Sequence, residues 1–265
     1  MKKQINAVLA RFDLKLTRMS TYNRLVSQNR QNVKRLHDLE FLRNLDLEAQ
    51  TKCFELLPMS NSQLRQDLFV LSELDFKTGG YFVEFGATDG VSFSNSNLLE
   101  SEFGWNGILA EPARKWHRHL RANRNAHIET DCVWSRSGET LTFNETEIAV
   151  LSTIDRFSDS DHHAKERTKG TRYTVNTISL DHLLEKHNAP RVIDYLSIDT
   201  EGSEYEILES FDFKKYRFRV ITCEHNNTPN RQKIFELLSG HGYERKLTGV
   251  SQFDDWYVHS GTRPA

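Results

Sequence analysis

Short apolar runs recur through the chain at Tyr81–Phe85, Gly107–Ala110, Ala126–Glu129, Val192–Ile198 and Phe218–Cys223. Each is too short for a helix and reads as a strand buried on both faces. Between them lie segments whose apolar residues recur every three or four positions. These are Ser62–Val70, Ser94–Phe103, the stretch after Pro112, Ser179–His187 and Asn230–Ser239, the last closed by Gly240. Strand alternating with helix predicts an α/β domain with a mostly parallel sheet. Pro112 suits the first turn of the helix that follows it. Residues 139–151 and 172–180 alternate like strands. Tyr243–Leu247 and Trp256–Ser260 read as a closing antiparallel pair with Asp254 and Asp255 at the turn. The polar stretch Ser152–Thr171 reads as a mobile surface loop over the acceptor pocket. Its Asp161-His162-His163 is no metal pair, because adjacent side chains diverge.

The first 60 residues differ. They contain no Gly, and their only Pro is Pro58. Ile5, Leu9, Phe12, Leu16, Met19, Tyr22, Val26, Val33 and Leu36 mark one face of a helix, and Ser20 or Thr21 would cap a second piece. Lysine and arginine heavily outnumber acids there. A helical basic arm over residues 1–60, followed by a folded domain over 61–265, is the expected organisation. The arm has three readings: an appendage packed on its own domain, a self-association seam of near-heptad spacing, or a basic helix on an anionic membrane surface through residues 1–45.

Composition narrows the class. At 265 residues with 37% hydrophobic content, the chain holds one substantial core, and its net charge of −2 argues for no polyanionic partner. Cys53, Cys132 and Cys223 lack metal spacing and read as buried, reduced thiols. No signal-peptide core or bilayer-length apolar stretch is evident. The expected location is cytoplasmic, with the inner face of a membrane as the variant if the arm binds lipid.

The chemistry collects where strands end. Tyr81–Phe85 runs into Gly86-Ala87-Thr88-Asp89-Gly90, a glycine turn opening a helix, which is how α/β proteins begin a nucleotide site. Glu84 closes that strand. Glu111, with Pro112, closes the next and is placed to accept ribose hydroxyls. Asp131 and Cys132 follow the third and would lie by adenine. Asp199 and Glu201 follow Val192–Ile198; Glu224 and His225 follow Phe218–Cys223. Arg114, Lys115, Arg118, Arg121 and Arg124 read as a solvated helix face. Gln63, Gln66 and Asp67 read as solvated surface or as a lid. A dehydrogenase fingerprint would require glycine where Thr88 stands, and Asp89 would repel a pyrophosphate. A cationic, phosphate-free ligand suits the acids better, and S-adenosylmethionine is such a ligand. No P-loop is present.

The ordered set Ser62-Gln63…Gln66-Asp67, Val83-Glu84-Phe85-Gly86-Ala87-Thr88-Asp89-Gly90, Ser94-Asn95-Ser96, Gly104-Trp105-Asn106-Gly107…Glu111-Pro112, Asp199-Thr200-Glu201-Gly202 and Glu224-His225-Asn226 resembles the FkbM family of S-adenosylmethionine-dependent methyltransferases. The resemblance implies a Rossmann-like class I methyltransferase fold, with a mostly parallel seven-stranded sheet and helices on both faces. It implies transfer to hydroxyls of sugars, glycolipids or secondary metabolites. It places Glu84, Gly86, Asp89, Gly90 and Asn95 at the methionine end, Glu111 at the ribose, and Asp131 with Cys132 by adenine. Ser96 stands where relatives often have Thr, and the arm lies outside the resemblance.

For transfer to an alcohol, His225 is the first choice of base, because an unperturbed imidazole titrates near neutrality. Asp199 is its rival or its orienting partner. Alternatively Asp199, Glu201 and Glu224 hold a divalent metal that acidifies the hydroxyl. The expected acceptor is a small molecule, a saccharide or a lipid-linked saccharide. A non-catalytic binding module, a nicotinamide oxidoreductase and a nucleic-acid methyltransferase are the rival classes. Thr88 and Asp89 count against the second. The third lacks a recognisable base-methylation motif.

Overall fold

The computed structural model describes residues 19–159 and 163–262. The first helical piece expected in the arm lies outside the described residues. The second is α1 (Met19–Arg43), followed by α2 (Leu47–Leu56), which is capped by Asp46 accepting from the amide of Ala49. Helix α3 (Gln66–Glu73) leads into β1 (Tyr81–Phe85), α4 (Asn97–Phe103), β2 (Asn106–Ala110), α5 (His117–Asn123) and β3 (His127–Glu129). Helix α5 begins five residues beyond Pro112, so that proline sits in the loop rather than in the expected first turn.

A second sheet then interrupts the alternation. It contains β4 (Cys132–Trp134), β5 (Thr140–Thr146), β6 (Thr153–Ile154) and β7 (Gly170–Ser179), in the order β4-β7-β5-β6. The main sheet resumes with α6 (Leu180–Lys186), β8 (Val192–Ile198), α7 (Glu204–Glu209), β9 (Arg217–Glu224), α8 (Asn230–Gly240), β10 (Tyr243–Lys246) and β11 (Asp254–His259).

The main sheet has seven strands in the order β10-β11-β9-β8-β1-β2-β3. All run parallel except β11, which is antiparallel to β9 and β10. The expected closing pair is therefore present. Asp254 and Asp255, however, are buried inside β11 rather than exposed at the turn before it. Strand order reverses between β1 and β8, so the carboxyl ends of these two strands flank the switch point where α/β sheets bind ligands.

Two apolar layers cover the sheet. Val83, Ile108, Leu196 and Ile221 pack on one side with Leu183, Ile207 and Leu238 from α6, α7 and α8. Phe82, Leu109, Val220 and Trp256 pack on the other with Leu68, Leu99 and Leu120 from α3, α4 and α5. The end of α1 joins this second layer: Phe41 is fully buried and meets Trp256 edge-on at 6.2 Å between ring centroids. Earlier in the helix, Val33 is 56% exposed.

Truncating Phe41 to alanine should therefore cost about 3–5 kcal/mol of stability in urea denaturation. Val33→Ala should stay within about 0.5 kcal/mol of the parent. Equal, small effects would mean that the arm's root is not part of the core.

Candidate functional site

The carboxyl ends of β1, β2, β8 and β9 open on a cavity of about 370 Å³. Its floor is set by a close approach. Gly86 has φ +75°, and a Cβ there would lie 2.1 Å from the carbonyl oxygen of Asp199. Only glycine lets the two strand exits meet.

Glu84 is buried at the end of β1. It accepts hydrogen bonds from the Asn95 amide at 2.7 Å, the Ser94 hydroxyl at 2.9 Å and the Ser96 hydroxyl. Arg124 completes this network. Its guanidinium donates to the hydroxyls of Ser94 and Ser96, to the Gly90 carbonyl and to Glu100, and lies 3.9 Å from Glu84. The sequence pattern put Arg124 on a solvated face; the structure buries it, because a carboxylate and a turn carbonyl wait for it there. Asn95 donates to the Ser197 hydroxyl at 3.0 Å, while its Oδ1 is buried without a partner among the described residues.

Glu111, at the end of β2, accepts from the amides of Thr88 at 2.8 Å and Ala113 at 2.7 Å. It has no cation partner among the described residues. Burial pushes its carboxyl up to about 7 against these two bonds. The acid ending β3 is Glu129, which the sequence reading passed over in favour of Asp131. Glu129 accepts from the amides of Thr130 and Asp131 and pairs with Lys186 at 2.6 Å.

The far side of the cavity holds the other acids. Asp199, Glu201 and Glu224 each present an oxygen within 4.8 Å of the others. Burial, then the charges of Asp254 and Glu204, push Asp199 up to about 8. Burial and the Asp199 charge also push Glu224 upward. Asp199 is half-buried and Glu224 buried, and two carboxyls this close do not both ionise readily. Glu201 is different: Arg167, itself fully buried, pairs with it at 2.6 Å. Thr153 also donates to the Glu201 carbonyl at 2.9 Å. The stretch expected to be a mobile surface loop thus supplies β6, two ties to the turn carrying Glu201, and a cavity wall that includes Ser152, Ile154 and His163. Asp161 and His162 lie outside the described residues.

Of the residues singled out from the sequence, Glu84, Gly86, Asn95, Glu111, Pro112, Cys132, Asp199, Glu201 and Glu224 line the cavity. Ala87, Asp89, Gly90, Asp131 and His225 are not among its lining. Asp89 braces the neighbouring turn instead, accepting from the amides of Val91 and Ser92 and from the Ser92 hydroxyl. Burial alone would raise its carboxyl, but those bonds outweigh burial and hold it below its ordinary value. His225 Nδ1 accepts from the Asn227 amide at 2.9 Å, and its Nε2 lies 3.7 Å from Asp255. Its lone pair is therefore engaged away from the cavity. Gln66 and Asp67 are buried, not solvated. Gln66 donates to Asp254 at 2.7 Å, and Asp67 accepts from the Ser60 and Ser62 hydroxyls.

The lining contributes five carboxyl side chains and, among the described residues, no lysine or arginine. Phe93, with a left-handed φ of +61°, stands 52% exposed at this cavity, together with Phe253, Gln63 and Asn226. Phe143, Val150 and Leu151 of the second sheet and its connection were missed as site residues. Their alternation marked strands, but nothing local said which face met the main sheet.

The sequence matches the methyltransferase FkbM domain over residues 84–257. A solved FkbM methyltransferase from Methylobacillus flagellatus aligns at TM-score 0.43 and 12% identity, covering 86% of this chain and 59% of that one. A precorrin-6y C5,15-methyltransferase from Geobacter metallireducens aligns at TM-score 0.41 and 14% identity, covering 73% of this chain and 87% of that one. A search of curated proteins found no match. The family match spans more than half of the chain and takes in the glycine turn and the strand-end acids, so the chain belongs to the FkbM methyltransferase family, whose methyl donor is S-adenosylmethionine.

Proposed function

We propose that the protein is an S-adenosylmethionine-dependent O-methyltransferase acting on a hydroxyl of a saccharide or glycolipid, with Asp199 as the general base. The observation that carries this reading is the cavity lining: Glu84 and Glu201 are paired with Arg124 and Arg167, but Glu111, Asp199 and Glu224 have no cation partner among the described residues. Such a cavity attracts a ligand bearing a sulfonium and an ammonium and repels a diphosphate.

The residues present fit that donor. Glu111 retains acceptor capacity beyond its two amide bonds and suits the ribose hydroxyls. The unpartnered Oδ1 of Asn95 suits an ammonium donor. Cys132 and Val133 offer an apolar wall for the adenine. When bound, the donor supplies a methyl group activated by positive sulfur. Asp199 would receive the proton of the acceptor hydroxyl as the new bond forms, because its raised pKa makes it a competent base near neutrality. Glu224 adjusts that basicity through its own protonation. Glu201, fixed by Arg167, and the Asn226 amide suit neighbouring hydroxyls, while Phe93 and Phe253 offer flat apolar faces. Rings beside hydroxyl partners favour a saccharide over a purely apolar acceptor.

A divalent ion at Asp199, Glu201 and Glu224 is the second reading, favoured by their oxygens lying within 4.8 Å of one another. The ion would then polarise the hydroxyl, and Asp199 would be a ligand rather than a base.

Transfer should be assayed with labelled donor against nucleotide sugars, glycans and lipid-linked saccharides. With saturating donor, the rate should rise with pH up to about 8, since Asp199 acts only when ionised. Asp199→Asn should lose about 10²–10⁴-fold in kcat, and His225→Ala only a few-fold. Loss of activity with chelator, restored by magnesium, would replace the base by the ion. Donor affinity measured by calorimetry should weaken as pH falls through about 7, where Glu111 takes up a proton. Glu111→Gln should bind more weakly and flatten that dependence.

A further inference from the structure

We infer that α1 is an interfacial membrane-binding helix whose partner is an anionic lipid surface. Helix α1 has 25 residues, and only Phe41 and Leu42 at its end are buried. Met19, Tyr22, Leu25, Val33, Leu36 and Leu39 are all more than half exposed. At 3.6 residues per turn they fall within an arc of about 160°, interrupted by Asn29, Asn32, Glu40 and Arg43. Arg24, Arg30, Lys34 and Arg35 fall on the complementary arc, flanking the apolar stripe from both sides. The attachments to the fold use that complementary arc too: Phe41, Leu42 and Asp38, whose carboxylate pairs with Arg65 at 2.7 Å. Gly249, Val250 and Gln252 border the C-terminal end of the apolar stripe, leaving a shallow groove with Val33, Leu36 and Leu39.

Charge selects the occupant. Helix α1 carries Arg24, Arg30, Lys34, Arg35 and Arg43 against Asp38 and Glu40, a net charge of +3 in a chain of net −2. A second copy of α1 would meet like charge over most of its length, whereas an anionic bilayer complements the helix and repels the body. No helix among the described residues is long and apolar enough to cross a membrane, so α1 would lie in the interface plane, with its stripe in the lipid and its cations at the headgroups. The root of the helix adjoins the cleft. His37 Nε2 donates to the Val250 carbonyl at 3.0 Å, and Phe253, three residues on, lines the cavity. A helix held at the lipid surface thereby holds the cleft close to it. This consequence rests on the proposed function and suits a lipid-linked acceptor; the lipid binding itself does not depend on it.

The test is co-sedimentation of the full chain with vesicles of phosphatidylcholine, alone or with about 30 mol% phosphatidylglycerol. Binding should be at least about 10-fold tighter to the anionic vesicles and should be lost when salt rises from about 0.05 to 0.5 M. Leu25→Glu with Leu36→Glu, at exposed positions, should abolish binding while circular dichroism and calorimetric donor affinity stay unchanged. Arg24→Glu with Arg30→Glu should weaken it at least about 10-fold. Binding that ignores lipid charge, or no binding at all, would overturn the proposal. So would a dimer in analytical ultracentrifugation that the leucine substitutions dissolve without any vesicle binding, which would give the stripe to a second copy. Donor affinity is read without lipid, so loss of the methyl-transfer reading would show separately.

Discussion

A parallel sheet that collects acids at its carboxyl edge must neutralise most of them, and how it does so organises this protein. Glu84 is buried at the centre of that edge, where an uncompensated charge would be prohibitive. The Ser94 and Ser96 hydroxyls and the Asn95 amide meet it directly, and Arg124 meets those hydroxyls in turn. The same guanidinium grips the Gly90 carbonyl and Glu100, so one buried cation fixes the turn, the start of α4 and the end of α5 together. Glu129 has Lys186, Glu201 has Arg167, and Asp255 has Arg231 and Arg245. These acids are structural struts.

Several acids have no cation partner among the described residues. Glu111, Asp199, Glu224 and Asp254 are held by hydrogen bonds or by each other, and burial raises all four. Three of them line the cavity. Raised carboxyls in a cleft are where proton chemistry and cation binding become available near neutral pH. The second sheet serves this division. Through Arg167 and Thr153 it clamps the turn carrying Glu201, which the chain holds at a left-handed φ of +60°. That strain persists because the clamp over-determines it.

Much of this was legible in the order of residues. The run Tyr81–Phe85 with its glycine turn, the acids closing β1, β2, β8 and β9, and the antiparallel end of the sheet all follow from local pattern. What escaped depends on contacts distant in sequence. Arg124 shares a basic stretch with solvated neighbours, and only its tertiary partners distinguish it. The pairing of Cys132 with Thr177, in parallel strands of a second sheet, spans too long a connection for periodicity to reveal. Asp254 and Asp255 read as a turn pair because local propensity cannot register Gln66, Arg231 and Arg245 arriving from elsewhere. His225 looked suitable by residue type, but the Asn227 amide occupies its lone pair.

We propose that Glu111, Asp199 and Glu224 hold a positively charged ligand where other nucleotide-binding sheets hold a diphosphate. Calorimetric titration of the intact chain with S-adenosylmethionine and, separately, with NAD tests it most directly. Saturable one-to-one binding of the first and none of the second is expected. Binding of NAD without S-adenosylmethionine would contradict it.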